Sequence, residues 1–111
     1  MSYSIINTPR FAKEAKKLSK RYASLKAELG ILNHTLQNDP HTGTSLCNNT
    51  YKIRLAIKSK GKGKSGGARI ITYSITEDRE IYLLTIYDKS EMENIDDKSL
   101  KQLITDIKKK K

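Results

Sequence analysis

The sequence predicts an α+β fold, in which a small antiparallel sheet packs against a helical hairpin and a further helix follows at the C-terminal end. Apolar residues at helical spacing near both ends of the chain indicate the helices. Alternating or wholly apolar runs between residues 51 and 87 indicate three consecutive strands. Because 111 residues is the length of one compact domain, we expect residues 1–111 to form a single domain.

The first half of the chain predicts a strand followed by two helices. Ser2–Asn7 has the β-branched character of a short strand, and Thr8 with Pro9 supplies a helix N-cap and a first helical residue. The second helix is predicted to end near Asn38, because Pro40 disfavours its continuation. The apolar stripes of the two helices are Phe11, Ala15, Leu18 and Tyr22, then Leu25, Leu29, Leu32 and Leu36.

The second half predicts three strands and a helix. Turn-forming residues dominate Asp39–Thr50, which is therefore predicted to be a loop. Strands are predicted over Tyr51–Ile57, Ala68–Thr76 and Glu80–Tyr87, and the last is apolar on both faces, as in a central strand covered on both sides. The element order is thus β-α-α-β-β-β-α. The stripe of the final helix consists of Leu100, Leu103, Ile104 and Ile107.

The charge of the chain indicates a polyanionic partner. Lys and Arg number 22 against 12 Asp and Glu, a formal net charge of +10. RNA, DNA, an acidic protein and an anionic membrane surface all fit this excess. No apolar run reaches bilayer-spanning length, and Met1–Pro9 lacks the apolar core of a signal peptide, so we expect a cytoplasmic protein without a membrane partner. The lone Cys47 allows no disulfide within the chain, which fits a reducing compartment.

A lysine-rich segment, Lys58–Gly67, contains the triplet Gly-Lys-Ser of a phosphate-binding P-loop. The P-loop pattern requires a glycine at the position of Lys58 and a helix after the triplet, but a strand is predicted from Ala68. Both departures argue against ATP or GTP hydrolysis. Lysines in a glycine-rich loop make good phosphate contacts, although the same segment also fits a solvated hairpin tip. The candidate RNA-binding lysines are Lys58, Lys60, Lys62 and Lys64.

Three cations are predicted to share one face of the sheet. Lys52 and Arg54 alternate with core residues on one strand, and Arg69 opens the next strand. Cations that converge on a phosphodiester would stabilise the negative charge that develops during its cleavage. The alternative is that each side chain extends into solvent or pairs with a surface carboxylate.

Other candidate residues have weaker patterns. Tyr73 and Tyr87 are candidates for base stacking or proton handling, or are core residues. Glu91 follows the central strand and is the candidate carboxylate for proton transfer, or it pairs with Lys89. The two histidines stand outside any ligand spacing, so the sequence predicts neither a metal site nor a cofactor.

The segments Tyr51–Arg54, Lys64–Tyr73, Ile81–Leu84 and Tyr87–Glu91 together resemble the RelE/HigB branch of the RelE/ParE toxin superfamily. The resemblance covers nearly the whole chain. It implies the toxin of a type II toxin-antitoxin system, a metal-independent endoribonuclease that cleaves mRNA on the ribosome and is neutralised by an antitoxin. In such toxins the ribose 2′-hydroxyl attacks the adjacent phosphate and leaves a cyclic phosphate end.

By position, the resemblance implies that Lys52, Arg54 and Arg69 bind or polarise the scissile phosphate. Ser90 stands where the RelE pattern has an arginine, and Asp96 stands near the place of its tyrosine. Proton transfer is therefore left to Lys89, Glu91 or a loop lysine. Two alternatives remain at this stage: a non-catalytic gyrase inhibitor of the ParE kind, and an RNA-binding module or inactive toxin.

Overall fold

Strands and helices follow one another in the predicted order, with one additional strand, in the computed structural model, which describes residues 3–60, 66–92 and 94–110. The helices are α1 (Pro9–Arg21), α2 (Leu25–Asn38) and α3 (Asp97–Lys110), and a short 3-10 turn covers Lys58–Lys60. The strands are β1 (Ser4–Asn7), β2 (Thr44–Cys47), β3 (Thr50–Leu55), β4 (Ala68–Ile75) and β5 (Glu80–Asp88). The α+β class, the helical hairpin and the C-terminal helix are confirmed.

The start of α1 is fixed to the sheet by its N-cap. The Thr8 side chain accepts a hydrogen bond from the Phe11 backbone N–H at 3.2 Å, and Pro9 occupies the first turn, as predicted. The Thr8 hydroxyl also lies 2.9 Å from the carbonyl oxygen of Leu83 and 3.2 Å from that of Leu84, both in β5. One threonine therefore begins the helix and attaches it to a central strand.

The sheet is mixed: β2 to β5 form the predicted antiparallel sheet, and β1 is added to it parallel to β5. Within the described residues the strand order is β1-β5-β4-β3-β2, and every neighbouring pair is antiparallel except β1 and β5. A parallel neighbour requires a long crossover connection. Here the helical hairpin and three strands separate β1 from β5 in sequence, which leaves room for that crossover.

The segment predicted as a loop, Asp39–Thr50, contains an additional strand, so that part of the prediction is wrong. β2 pairs with β3 in a hairpin, with Cys47 opposite Thr50. The two residues between them, Asn48 and Asn49, have φ values of 49° and 65°. A two-residue hairpin loop of this kind favours positive φ at both positions, and asparagine tolerates it well.

Core residues cover both faces of the sheet, which confirms the prediction for β5. The helices bury their apolar stripes against the sheet. Among the described residues, no helix combines the length and the apolar character of a membrane-spanning segment. The α1/α2 side contains Phe11, Leu18, Leu25, Leu32, Leu36, Ile53, Ile57, Ala68, Ile70, Ile81, Leu83 and Ile86. The α3 side contains Ile71, Tyr73, Leu84, Tyr87, Leu100, Ile104 and Ile107.

An extra residue in β5 changes its register against β4. Thr72 lies opposite Leu83, whereas its neighbour Ile71 lies opposite Thr85. Leu84 is therefore the additional residue of a β-bulge. Four residues of β4 lie on the far side of the bulge from Thr72. Each of them faces the β5 residue one position later than pairing continued from Thr72 and Leu83 would give: Ile71, Ile70, Arg69 and Ala68.

Glu14 of α1 contacts the strand directly after this bulge. Its Oε1 accepts hydrogen bonds from the Thr85 hydroxyl at 2.6 Å and from the Ile86 backbone N–H at 3.3 Å. A bulge interrupts the regular ladder of strand hydrogen bonds, so a partner for a nearby backbone donor stabilises it. The carboxylate of Glu14 thus helps to hold the register of β5.

The end of β5 is fixed by a buried carboxylate. Asp88 is 2% exposed and accepts a hydrogen bond from the Tyr22 hydroxyl at 2.6 Å. Ser90 donates to the same carboxylate through its backbone N–H at 2.9 Å and its hydroxyl at 2.7 Å. Arg21 lies 3.7 Å away. Asp88 therefore joins the C-terminal end of α1 to the turn that follows β5.

Removing the Asp88 carboxylate should lower the free energy of unfolding by about 2 kcal/mol, because hydrogen bonds to a buried charge contribute about 1.5–3 kcal/mol. Tyr22→Phe removes one donor and should cost about 1 kcal/mol. Urea unfolding of Asp88→Ala and Tyr22→Phe checks the order of the two effects. Equal stability of Asp88→Ala and the parent protein would contradict it.

Candidate nucleic-acid interface

Two arginines and a tyrosine stand side by side across three strands. Arg54 of β3 lies opposite Arg69 of β4, and Arg69 lies opposite Tyr87 of β5. Lys52 precedes Arg54 by two residues and so occupies the same face of β3. This is the α3 side of the sheet, where Tyr87 belongs to the core. We call Lys52, Arg54 and Arg69 the cationic row, and its convergence on one face is as the alternation predicts.

The three cations differ in burial. Arg54 is exposed, Lys52 is partly buried, and Arg69 is only 4% exposed and donates from Nη1 to the Ala68 carbonyl oxygen at 3.1 Å. Like charges directly opposite each other destabilise a sheet unless an opposite charge compensates them. The side-by-side placement of Arg54 and Arg69 makes this part of the sheet face positive, and the exposed Arg54 is the member of the row that solvent reaches most readily.

Tyr87, beside Arg69 on the same sheet face, has a buried phenol. It is 6% exposed, and its hydroxyl has no partner in ordinary hydrogen-bond geometry among the described residues. Burial raises the pKa of Tyr87 above its ordinary value, and the nearby Ile95 backbone and the charge of Arg69 oppose that shift. At neutral pH the side chain is therefore a protonated phenol, which donates a hydrogen bond and does not act as a base.

The lysine-rich segment is described only at its two ends. Lys58 is exposed, and Lys60 ends the 3-10 turn. Lys62 and Lys64 lie outside the described residues, so their RNA-binding role stays a prediction. At the far end, Gly67 enters β4 against β3, and a Cβ there would overlap the Leu55 carbonyl oxygen. Only glycine fits this approach without displacing the backbone.

The first end of the lysine-rich segment is attached to the helical hairpin. Ser59 and Ser24 exchange hydrogen bonds: each backbone N–H donates to the other hydroxyl, at 2.9 Å and 3.1 Å, and the two hydroxyls are 2.9 Å apart. Glu28 accepts from the Lys58 backbone N–H at 2.8 Å and from the Ser24 hydroxyl at 3.2 Å. The described first end of the segment is therefore held against Ser24, between α1 and α2, and against Glu28 of α2.

The two candidates for proton transfer have different surroundings. Lys89 directly follows β5, and its backbone N–H donates to the Gly67 carbonyl oxygen at 3.0 Å, beside the start of β4. The Glu91 carboxylate instead forms an ion pair with Arg21 at the end of α1. Arg21 of α1 therefore contacts both Glu91 and Asp88. The sequence suggested Lys89 as the partner of Glu91, whereas the ion pair in the structure is with Arg21.

Tyr73 belongs to the core on the α3 side. It is 8% exposed and stands four residues along β4 from Arg69. Its role in RNA binding stays a prediction to which this burial lends no support.

Of the histidines, His41 stacks on Tyr51 with ring centroids 5.1 Å apart. No cluster of His, Cys, Asp or Glu suited to a metal ion occurs within residues 3–60, 66–92 and 94–110.

The two positions that depart from the RelE pattern have local structural partners. Ser90 donates twice to Asp88, as described above. Asp96 precedes α3 and accepts from the Ser99 hydroxyl at 2.7 Å and the Ser99 backbone N–H at 3.1 Å, in the manner of an N-cap. These hydrogen bonds lower the pKa of Asp96 below its ordinary value. Both residues therefore stabilise chain turns close to the cationic row.

Sequence reasoning missed a cavity of about 290 Å³ beside the cationic row. Lys52 lines it and donates from Nζ to Asn94 Oδ1 at 3.2 Å. Leu46 of β2 also lines it, so the cavity depends on the strand that was predicted as a loop. The pair of asparagines after Cys47 is the sequence signal that would have indicated this hairpin.

Comparisons with known proteins agree with this fold. Residues 4–109 match the family model described as the RelE toxin of the RelE/RelB toxin-antitoxin system. An arginine double mutant of Escherichia coli toxin RelE in the free state superposes with a TM-score of 0.62 at 19% identity, covering 84% of this chain and 90% of that one. The toxin-antitoxin complex RelBE2 from Mycobacterium tuberculosis gives 0.57 at 16% identity, covering 79% and 92%. The isolated E. coli RelE toxin gives 0.52 at 19% identity, covering 96% and 99%.

Alkaline pH should destabilise the parent protein more than Tyr87→Phe. Because the pKa of Tyr87 is raised on folding, the folded protein keeps the phenol proton at a pH where the unfolded chain releases it. The contribution of Tyr87 to stability is complete below the ordinary tyrosine pKa of about 10 and is lost as the pH rises through the raised value. Urea unfolding of both proteins across this range measures the difference. Parallel pH dependences would contradict the assignment.

Proposed function

This chain belongs to the RelE toxin family of toxin-antitoxin systems, and on that premise we propose that it is the toxin of a type II pair and cleaves mRNA. In this proposal the protein is a metal-independent endoribonuclease that acts in the cytoplasm on mRNA bound to the ribosome. The observation that carries the proposal is the direct pairing of Arg54 with Arg69 on one sheet face, with Lys52 beside them. Such a face suits a phosphodiester more than any neutral substrate.

The proposed reaction is an attack within the RNA chain. The 2′-hydroxyl oxygen of one ribose forms a bond to the adjacent phosphorus, and the bond from phosphorus to the next 5′-oxygen breaks. The hydroxyl proton leaves to a base, and the departing 5′-oxygen gains a proton. The products are a 2′,3′-cyclic phosphate and a 5′-hydroxyl, and no water is consumed in this step.

The cationic row would act mainly by charge. Negative charge on the non-bridging phosphate oxygens rises in the transition state, and guanidinium groups fixed on strands stabilise it without having to reorganise. Arg54, being exposed, is placed to contact the phosphate directly, and the nearly buried Arg69 strengthens the positive field from behind it. Lys52 adds a third cation on the same face.

The proton-transfer roles are proposed from placement. Lys89 lies beside the start of β4, where its backbone N–H contacts Gly67, two residues before Arg69 in the chain, and is our candidate for donating a proton to the 5′-oxygen. Tyr87, a protonated phenol at neutral pH, would orient the phosphate by donating a hydrogen bond. Glu91 would have to leave its ion pair with Arg21 before it could accept the 2′-hydroxyl proton.

The partners proposed here are a cognate antitoxin, mRNA and ribosomal RNA. The net charge of +10 favours both an acidic antitoxin and RNA. The similar RelBE2 protein is described as a toxin-antitoxin complex, which supports an antitoxin partner for this chain. The exposed face of α1 offers further cations for ribosomal RNA: Lys13, Lys16, Lys17 and Lys20.

Arg54→Ala should lower the rate of mRNA cleavage by about a hundredfold, because removal of one charge-stabilising donor typically costs that much. Since Arg54 is exposed, the variant should unfold at the same urea concentration as the parent. Primer extension on an mRNA translated by purified ribosomes measures the cleavage. Arg69→Lys, which keeps the charge but loses the planar fork, should show a smaller loss.

A matched control is Arg79→Asn in the turn between β4 and β5, at the opposite end of these strands from Arg69. It removes one positive charge, and asparagine tolerates the φ of 53° found there. Cleavage by this variant should be unchanged. Absence of cleavage by the parent protein, or equal losses in Arg54→Ala and Arg79→Asn, would overturn the proposal. DNA-damage signalling without RNA cleavage would instead indicate a gyrase inhibitor.

A further inference from the structure

We propose that Glu14 of α1 is a positioning residue for the reaction: from the far side of the sheet, it keeps Tyr87 on the face of the cationic row. The inference rests on the proposed function for the reaction that Tyr87 serves, and it adds to that reaction a residue that contacts no RNA. Glu14 belongs to a helix that packs against β5 on the side of the sheet opposite to α3.

The side chains of β5 change faces at the bulge. Leu83 and Ile86, three positions apart, both belong to the core on the α1/α2 side, whereas Leu84 and Tyr87, also three apart, both belong to the core on the α3 side. In a regular strand, residues on one face are separated by an even number of positions. Regular alternation continued from Leu83 would therefore turn Tyr87 toward α1 and α2, away from Arg69. The bulge is what brings the phenol to the cationic row.

Glu14 contacts the two residues of β5 that follow the extra residue Leu84. Its Oε1 accepts from the Thr85 hydroxyl at 2.6 Å and from the Ile86 backbone N–H at 3.3 Å. Thr85 is fully buried, and hydrogen bonds to a carboxylate are stronger than those between neutral groups. Because these bonds form in the bulged register, they stabilise it relative to regular pairing.

α1 contacts the strand on both sides of the bulge, but only Glu14 does so without capping the helix. The Thr8 hydroxyl lies 2.9 Å from the Leu83 carbonyl oxygen and 3.2 Å from that of Leu84, and Thr8 is also the N-cap. The second oxygen of Glu14, Oε2, pairs with Arg10 Nε at 3.3 Å on the exposed side. A substitution at Glu14 therefore alters the support of the bulge while leaving the helix start unchanged.

The kinetic test compares Glu14→Ala with Glu14→Gln. Alanine removes the acceptor, so kcat for cleavage of translated mRNA should fall by about tenfold to a hundredfold, as expected when a reacting group is displaced by about 1 Å. KM should be unchanged, because Lys52 and Arg54 still bind the RNA. Glutamine keeps an oxygen that accepts from both donors, so Glu14→Gln should retain most of the activity.

The structural test needs no RNA. NMR spectra of the parent protein should show cross-strand NOEs between Arg69 and Tyr87, which lie opposite each other. In Glu14→Ala a second set between Arg69 and Ile86 should appear, as regular pairing gives. Thr85→Val removes one of the two donors and should have the same effect in smaller measure. Combined with Glu14→Ala it should cause no further loss of kcat, because both changes remove one interaction.

Two variants serve as controls. Arg10→Ala breaks the exposed ion pair of Glu14 but leaves Oε1 on the strand, so its kcat and NOEs should equal those of the parent. Leu29→Ala truncates a partly buried leucine of α2 that packs on the core. It should lower the urea concentration at the midpoint of unfolding without changing kcat or the NOEs, which separates positioning from general stability.

The outcomes distinguish this inference from the proposed function. A parent protein that cuts no mRNA, together with NOEs that change in Glu14→Ala, overturns only the proposed function. NOEs unchanged in Glu14→Ala overturn only the positioning role, whatever that variant cleaves. Equal losses of kcat in Glu14→Ala and Leu29→Ala would show a general effect of stability and would also overturn it.

Discussion

The register of three central strands is the constraint on which the candidate interface depends. Arg54, Arg69 and Tyr87 are neighbours only because β3, β4 and β5 pair in this one alignment. A slip by one residue turns each side chain to the other face of a strand. Here the α1/α2 side is packed with core residues that include Ile53, so a slip of β3 would turn Lys52 and Arg54 into that core and move Ile53 out of it.

The bulge at Leu84 is the part of this register that most directly affects the chemistry. Regular pairing continued from Thr72 and Leu83 would place Ile86 opposite Arg69, whereas the extra residue places Tyr87 there. Contacts from α1 hold the bulge, through Thr8 at the helix start and Glu14 six residues later. The helical hairpin thus influences the interface from the opposite face of the sheet, without contributing a side chain to the cationic row.

Short-range pattern was enough to predict the three helices, β3 to β5 and the shared face of Lys52 and Arg54, because periodicity and capping are local properties. β2 was not predicted because its four residues are flanked by turn-forming residues and are a strand only through their hydrogen bonds to β3. The Leu84 bulge and the Glu91–Arg21 ion pair depend on residues distant in sequence. The cavity lined by Leu46 and Lys52 depends on the pairing of β2 with β3.

The most direct test of the account is a single change in the RNA. A 2′-deoxynucleotide placed at the main cleavage position of a translated mRNA removes the attacking hydroxyl and leaves every phosphate in place. We predict that cleavage at that position disappears while binding to the cationic row is retained, and that the unmodified RNA ends in a cyclic phosphate. Continued cleavage at the deoxy position would contradict attack by the ribose hydroxyl, and with it the proposed role of the row.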